Sequence, residues 1–136
     1  MGYESKLYVI EKGKKTIINF DGKEIDMGEE INGKKMYYAH FICQFDLSKC
    51  YPVSDVMTEY PPTDSFIYAD DGNTRIIKDC YGAFLKEIPI EDAINIIEEA
   101  ANKEYYRRYI PVLAALKALN ADKEHWRELV VLHYGY

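Results

Sequence analysis

Ser65-Phe66-Ile67-Tyr68-Ala69-Asp70-Asp71-Gly72-Asn73-Thr74-Arg75-Ile76-Ile77-Lys78-Asp79-Cys80-Tyr81-Gly82-Ala83-Phe84-Leu85 runs apolar, then turn, then apolar again. Residues 65–69 predict a strand and residues 74–78 its returning partner. Between them Asp70-Asp71-Gly72-Asn73 is turn chemistry, because Asp and Asn bond their own backbone and Gly accepts a positive φ. Residues 79–82 predict a second turn into a short strand at 83–85. A hairpin here makes the fold β-rich in its first two thirds.

Upstream, residues 6–11 form a near-continuous apolar run, the pattern of a central strand. Residues 16–20 predict a second strand, ended by Asp21-Gly22. Residues 23–35 are polar, hold Gly28 and Gly33, and predict an exposed, partner-contacting excursion. Residues 36–45 predict a long strand, with Tyr37, Ala39, Phe41, Cys43 and Phe45 on the core face and His40 on the other. A helical turn capped by Ser54 is expected between Pro52 and Pro61.

Downstream, Pro89 opens a helix whose stripe is Ile90, Ala93, Ile94, Ile97 and Ala101. Residues 105–119 predict a second helix, started or kinked by Pro111, with Val112, Ala115, Leu116 and Leu119 as its stripe. Asn120 ends it, and Asp122 caps a short turn through Trp126. Leu129-Val130-Val131-Leu132 predicts a final strand inserted in the sheet. The sum is one α+β domain over residues 1–136. It has a mainly antiparallel sheet of five to six strands, and the two C-terminal helices pack on one face.

A net charge of −6 argues against a direct nucleic-acid ligand, which needs a basic face. No apolar run reaches the roughly 20 residues of a membrane span. The first ten residues carry charges where a signal peptide would be apolar, so a cytoplasmic chain is expected. The three cysteines are then free thiols, mostly buried. Thirteen tyrosines suit half-buried strand positions and contact surfaces.

Tyr68-Ala69-Asp70-Asp71 matches the YxDD string of reverse-transcriptase palms, where paired aspartates hold two Mg²⁺ ions. The turn reading is simpler. The alternative is a metal-dependent phosphoryl-transfer site at Asp70 and Asp71, with Asp64 or Asp79. His40, His125 and His133 share no ligand spacing, and no nucleotide-binding glycine motif is present, so no cofactor is expected. Cys43 or Cys80 beside His40 lacks any surrounding motif of a nucleophilic pair. The preferred binding surface is Tyr105, Tyr106, Arg107, Arg108 and Tyr109, joined by Lys34 and Lys35 of the excursion. Arg with Tyr faces suits a phosphate, a base or an acidic partner.

The opening residues 2–10, the central residues 68–74 and the closing residues 129–136 resemble a group of short proteins encoded by phages and prophages of Gram-positive bacteria. The resemblance implies a phage accessory protein acting by binding. The expected partner is a host or phage protein, a host defence system such as a CRISPR nuclease being the sharpest case, with a homodimer also open. The alternative is a small-ligand binder that sequesters a nucleotide signal through Arg107 and Arg108.

Overall fold

A computed structural model describes residues 4–103 and 107–136. The first strand, β1 (Ser5–Lys12), is the centre of the sheet: its apolar run pairs antiparallel with β5 (Lys34–Ser48) on one side and β9 (Leu129–Gly135) on the other. Both of its edges are therefore paired, and both of its faces are covered. Leu7 and Val9 point into one apolar cluster, Tyr8 and Ile10 into another. The chain between β1 and β5 makes β2 (Thr16–Ile18), β3 (Glu24–Asp26) and β4 (Glu29–Ile31).

After β5 come α1 (Tyr51–Met57), β6 (Ser65–Tyr68), β7 (Arg75–Ile76) and β8 (Lys86–Pro89). Then α2 (Ile90–Lys103), α3 (Tyr109–Ala121), a 3₁₀ turn (Lys123–His125) and β9 close the chain. Among the described residues the main sheet has seven strands in the order β7-β6-β5-β1-β9-β8, with β4 also on β5. β6 runs parallel to β5, pairing Tyr37 with Ser65 and Tyr38 with Phe66. The architecture is α+β, and the sheet is mixed rather than simply antiparallel. The α1 crossover is the reason: it carries the chain back to the end of the sheet where β5 started, as parallel strands require.

Among the described residues three helices, not two, enclose the larger cluster. Val53 and Met57 of α1, Ile94 and Ile97 of α2, and Val112 and Leu116 of α3 close over Leu7, Val9, Ile88, Leu129 and Val131. Cys50 caps α1 by backbone position and Pro52 sits in its first turn, so Ser54 lies inside the helix. Helix α2 begins at Ile90 because Pro89 ends β8, and Ala100 rather than Ala101 completes its buried stripe. Glu91 and Asp92 lie in its first turn and Lys103 in its last, as the helix dipole favours. Pro111 is the third residue of α3, where a missing N–H costs nothing. Asn120 lies within α3, and Asp122 follows its end.

The core face of β5 is the clearest correction. Val9 pairs with Cys43 but Ile10 pairs with Phe41, so Ile42 is an extra, bulged residue. The bulge reverses the alternation. Cys43 and Phe45 pack under the helices, joined by Ile42, whereas Phe41 and Tyr38 are exposed. Ala39 and Met36 are fully buried, each in a different cluster. Of the three free cysteines, Cys50 is buried, Cys43 partly buried and Cys80 exposed.

The hairpin of β6 and β7 forms as expected, with Ile67 opposite Ile76 and Tyr68 opposite Arg75. The second turn leads to an isolated bridge between Lys78 and Phe84, and the strand proper starts later, at β8. Here the 62–85 segment covers the second face: Ile67 and Leu85 pack on Tyr8, Ile10, Val130 and Leu132.

Two consequences follow for stability. Leu7 is fully buried beneath the helices, whereas Ile18 stands in solvent. Leu7→Ala should cost about 2–5 kcal/mol in urea unfolding at constant m-value, and Ile18→Ala less than about 0.5 kcal/mol. His133 is 2% exposed on β9, its Nε2 2.9 Å from Ser5 Oγ. Burial pushes this imidazole down from 6.5 to about 4, against an opposing pull from Asp79. Between those values the unfolded chain binds a proton that the folded chain refuses. Stability is therefore full above about pH 6.5 and falls by about 3 kcal/mol as pH drops toward 4. His133→Gln should flatten that slope in urea titrations; an unaltered slope would show that other groups carry it.

Candidate functional site

Among the described residues, strands β2 and β3 pair only with each other, Thr16 with Asp26, Ile17 with Ile25 and Ile18 with Glu24. They form an arm off the main sheet. Its tip is fixed by one side chain: Asn19 Oδ1 accepts the Asp21 and Lys23 N–H groups at 3.0 and 2.9 Å. The Asn19 N–H donates to the Lys23 carbonyl at 2.9 Å, and Gly22 takes φ +75°, which only glycine adopts freely. Phe20 is thereby held at the tip, fully exposed. Ile17, Ile18, Ile25 and Met27 are exposed too, so the arm displays apolar side chains on both faces.

The arm is clasped at its root. Asp26 accepts from the Gly28 N–H at 2.7 Å, the Lys35 ammonium at 3.3 Å and the Tyr37 hydroxyl at 3.2 Å. The Gly28 N–H above all, with Lys35 and Tyr37, holds its carboxyl below the usual value despite an opposing effect of desolvation. Lys15 reaches across to Asp64 at 2.7 Å and lies over the Tyr37 ring at 5.2 Å. Burial would raise Asp64, but the bond from Lys15 and the charges of Lys12 and Lys15 outweigh it, and its carboxyl ends lower. Gly13 is required here by contact: a Cβ would lie 2.6 Å from the Tyr38 carbonyl oxygen.

Between the arm root and the end of β1 lies a cleft of about 440 Å³. Gly13, Lys14 and Met27 form its arm side, and Tyr38, His40 and Arg127 its sheet side. The second strand of the arm and Met27 fall within the exposed 23–35 excursion, but Arg107, Arg108 and Tyr109 of the preferred surface lie elsewhere. Arg107 and Arg108 are exposed, but Arg108 donates to the Asp46 carbonyl at 3.1 Å and lies 3.8 Å from its carboxylate. Tyr109 is 2% exposed, with its hydroxyl 2.9 Å from Cys50 Sγ, so it is a core residue. Tyr105 and Tyr106 lie outside the described residues. Lys34 and Lys35 belong to β5 rather than to an excursion. Ile31 pairs with Lys34 across Asn32-Gly33, both at positive φ, which makes a tight β4–β5 hairpin. Lys34 donates to the Thr63 carbonyl at 2.8 Å.

Asp70 and Asp71 have separate roles. Asp71 accepts the Asn73 and Thr74 N–H groups, each at 2.8 Å, and the Thr74 hydroxyl. These bonds, the Thr74 hydroxyl foremost, lower its carboxyl below the usual value. Asp79 repeats the device, accepting from the Tyr81 and Ala83 N–H groups at 2.9 and 3.0 Å. Asp70 is exposed beside a smaller cleft with Tyr8 and Phe41. Among the described residues no group of three or more His, Cys, Asp or Glu side chains is placed to hold a metal ion. His125 pairs with Asp122 at 2.6 Å and His133 is buried, which leaves His40 as the histidine at the cleft.

No family model, no curated protein and no solved structure matches the chain. Among the described residues no helix is long and apolar enough to cross a membrane.

The turn assignment has a direct check. Asp71→Ala removes three accepted bonds and should lower the melting temperature, whereas Asp70→Asn should leave it unchanged. Because the Asp71 carboxyl is lowered in the folded chain, its contribution is present above the unfolded value of 3.8 and is lost at more acid pH. A Mg²⁺-dependent rise in melting temperature that Asp70→Asn abolishes would instead place a metal there.

Proposed function

We propose that this chain is a non-enzymatic binding protein whose Thr16–Asp26 arm inserts into an apolar groove on a protein partner. The observation that carries the reading is the exposure of Ile17, Ile18, Phe20, Ile25 and Met27 on a hairpin that, among the described residues, pairs with no strand of the main sheet. Contiguous exposed apolar surface marks an interaction site. Burying Ile18 and Phe20 alone would yield about 3–6 kcal/mol, a substantial part of a micromolar affinity. The Asn19 tip and the Asp26 clasp pre-form the arm, so little ordering entropy opposes binding.

The finer form of the proposal is a phage accessory protein that blocks a host defence complex, such as a CRISPR nuclease, in the bacterial cytoplasm. It is supported by the resemblance of the opening, central and closing strings to small phage-encoded proteins. The net charge of −6 adds to it, since a nucleic-acid-binding enzyme offers a basic surface to an acidic inhibitor. Sequestration of a nucleotide through Arg107 and Arg108 gains no support from a site in which Arg108 is engaged by Asp46 and Tyr109 is buried.

Phe20→Asp and Ile18→Asp are the decisive variants. Each should fold with unchanged stability, and each should abolish co-purification of the partner and any protection of phage from immunity. A native chain that captures no host protein and leaves phage immunity unaffected would refute the proposal. Capture that survives both variants would move the interface off the arm.

A further inference from the structure

The cleft at the arm root has a chemistry of its own, independent of what the arm tip docks into. Two strands and a terminal segment build it. The β1–β5 register sets Glu11 opposite His40 and Lys12 opposite Ala39. The Lys12 N–H donates to the Glu128 carbonyl at 2.9 Å, and the Arg127 N–H donates to Glu11 Oε2 at 2.9 Å. The backbone carrying Arg127 is thus pinned to the cleft by two bonds, while its guanidinium makes no ion pair among the described residues. Lys14, on the opposite lip, makes none either. Lys12 is different: Glu87 at 3.1 Å and Asp64 at 3.7 Å engage its ammonium.

The cleft therefore offers two uncommitted cations, Lys14 and Arg127, and a histidine ring as a further polar contact. Among the described residues one acid, Glu11, lines the cleft, and its Oε2 accepts from the Arg127 backbone N–H. Beside these groups stand Met27 and Tyr38, each about half exposed, as an apolar and aromatic wall. A volume of about 440 Å³ lies within the range of small-molecule sites and exceeds what an inorganic anion fills. Two cations match a phosphate monoester, which carries about −1.5 to −2 at neutral pH. The guanidinium fork grips its oxygens, and a flat ring attached to the ester can lie on Tyr38 and Met27.

We propose that this cleft binds a nucleotide-class anion, a phosphate monoester carrying a flat heterocycle. Its phosphate lies between Lys14 and Arg127 and its ring against Tyr38 and Met27. Because Gly13, Lys14 and Met27 are also the two ends of the arm, the bound anion stiffens the arm where it leaves the sheet.

Calorimetric titration of the full chain with AMP, GMP, CMP and UMP, and with adenosine and inorganic phosphate, tests this. At least one monophosphate should bind with a Kd at or below about 1 mM, and adenosine and phosphate should each bind at least about tenfold more weakly. Arg127→Ala and Lys14→Ala, at exposed positions whose loss should not unfold the chain, should each weaken it about tenfold. Lys23→Ala, near the arm tip, should have no effect. Tyr38→Ala should weaken the monophosphate and leave inorganic phosphate unchanged. If no monophosphate binds, or if binding is indifferent to Arg127 and Lys14, the proposal is wrong. Adenosine binding as tightly as AMP would overturn the phosphate half, and phosphate binding as tightly would overturn the ring half. None of these results depends on whether Phe20 engages a protein partner.

Discussion

Everything in this molecule hangs on β1 being paired along both edges and covered on both faces. Its backbone bonds go to β5 and β9, so its polar groups are satisfied without water. Leu7 and Val9 then anchor the helix layer, and Tyr8 and Ile10 anchor the 62–85 segment that lies on the other face. The last strand, β9, takes part in the same arrangement: Val131 faces the helices and Val130 and Leu132 face away. The N- and C-terminal strands are thus neighbours in the sheet. The sheet closes only when residues more than a hundred positions apart have met, which makes it slow to form relative to a helical protein of this size.

The long strand β5 ties this core to the exposed parts. Its last two thirds belong to the core pair with β1, and its start holds β4 and β6 and the clasp on Asp26. The bulge at Ile42 lets one continuous strand serve both regions. It twists the strand and exchanges its faces, so that Cys43 and Phe45 point to the helices while Tyr38 and His40 are left beside the cleft. Attachment of an exposed apolar arm to the end of the central strand β1 carries a cost, because such surface invites aggregation. Lys14, Lys15, Lys23, Asp21 and Glu24 flank the apolar side chains of the arm and counter that tendency.

Much of the fold was legible in local pattern. The apolar run of β1, the Asp-Asp-Gly-Asn turn, the stripe of α2 and the inserted C-terminal strand each follow from propensity and periodicity alone. Three features were not legible for a common reason. The bulge at Ile42, the parallel pairing of β6 and the burial of Tyr109 all depend on which distant segment lies alongside, and no window of neighbouring residues contains that information. The candidate site shows the same limit. Phe20 before Asp21-Gly22 was visible as a hairpin end, whereas Lys34 and Lys35 were assigned to the 23–35 excursion and the Asn32-Gly33 turn that starts their strand was missed. Arg127 and Lys14, by contrast, are far apart in sequence and were unremarkable as single cations.

The sequence by itself therefore determined the α+β class, the central place of the first strand and the structural character of the Asp71 turn, because each rests on short-range chemistry. Only the tertiary structure decided which face of β5 is core, which tyrosines are exposed, and that two separate cations share one cleft. Those outcomes are set by register and by backbone hydrogen bonds such as Arg127 to Glu11 and Lys12 to Glu128. Long-range pairing fixes them, and a one-residue slip would have given the opposite faces.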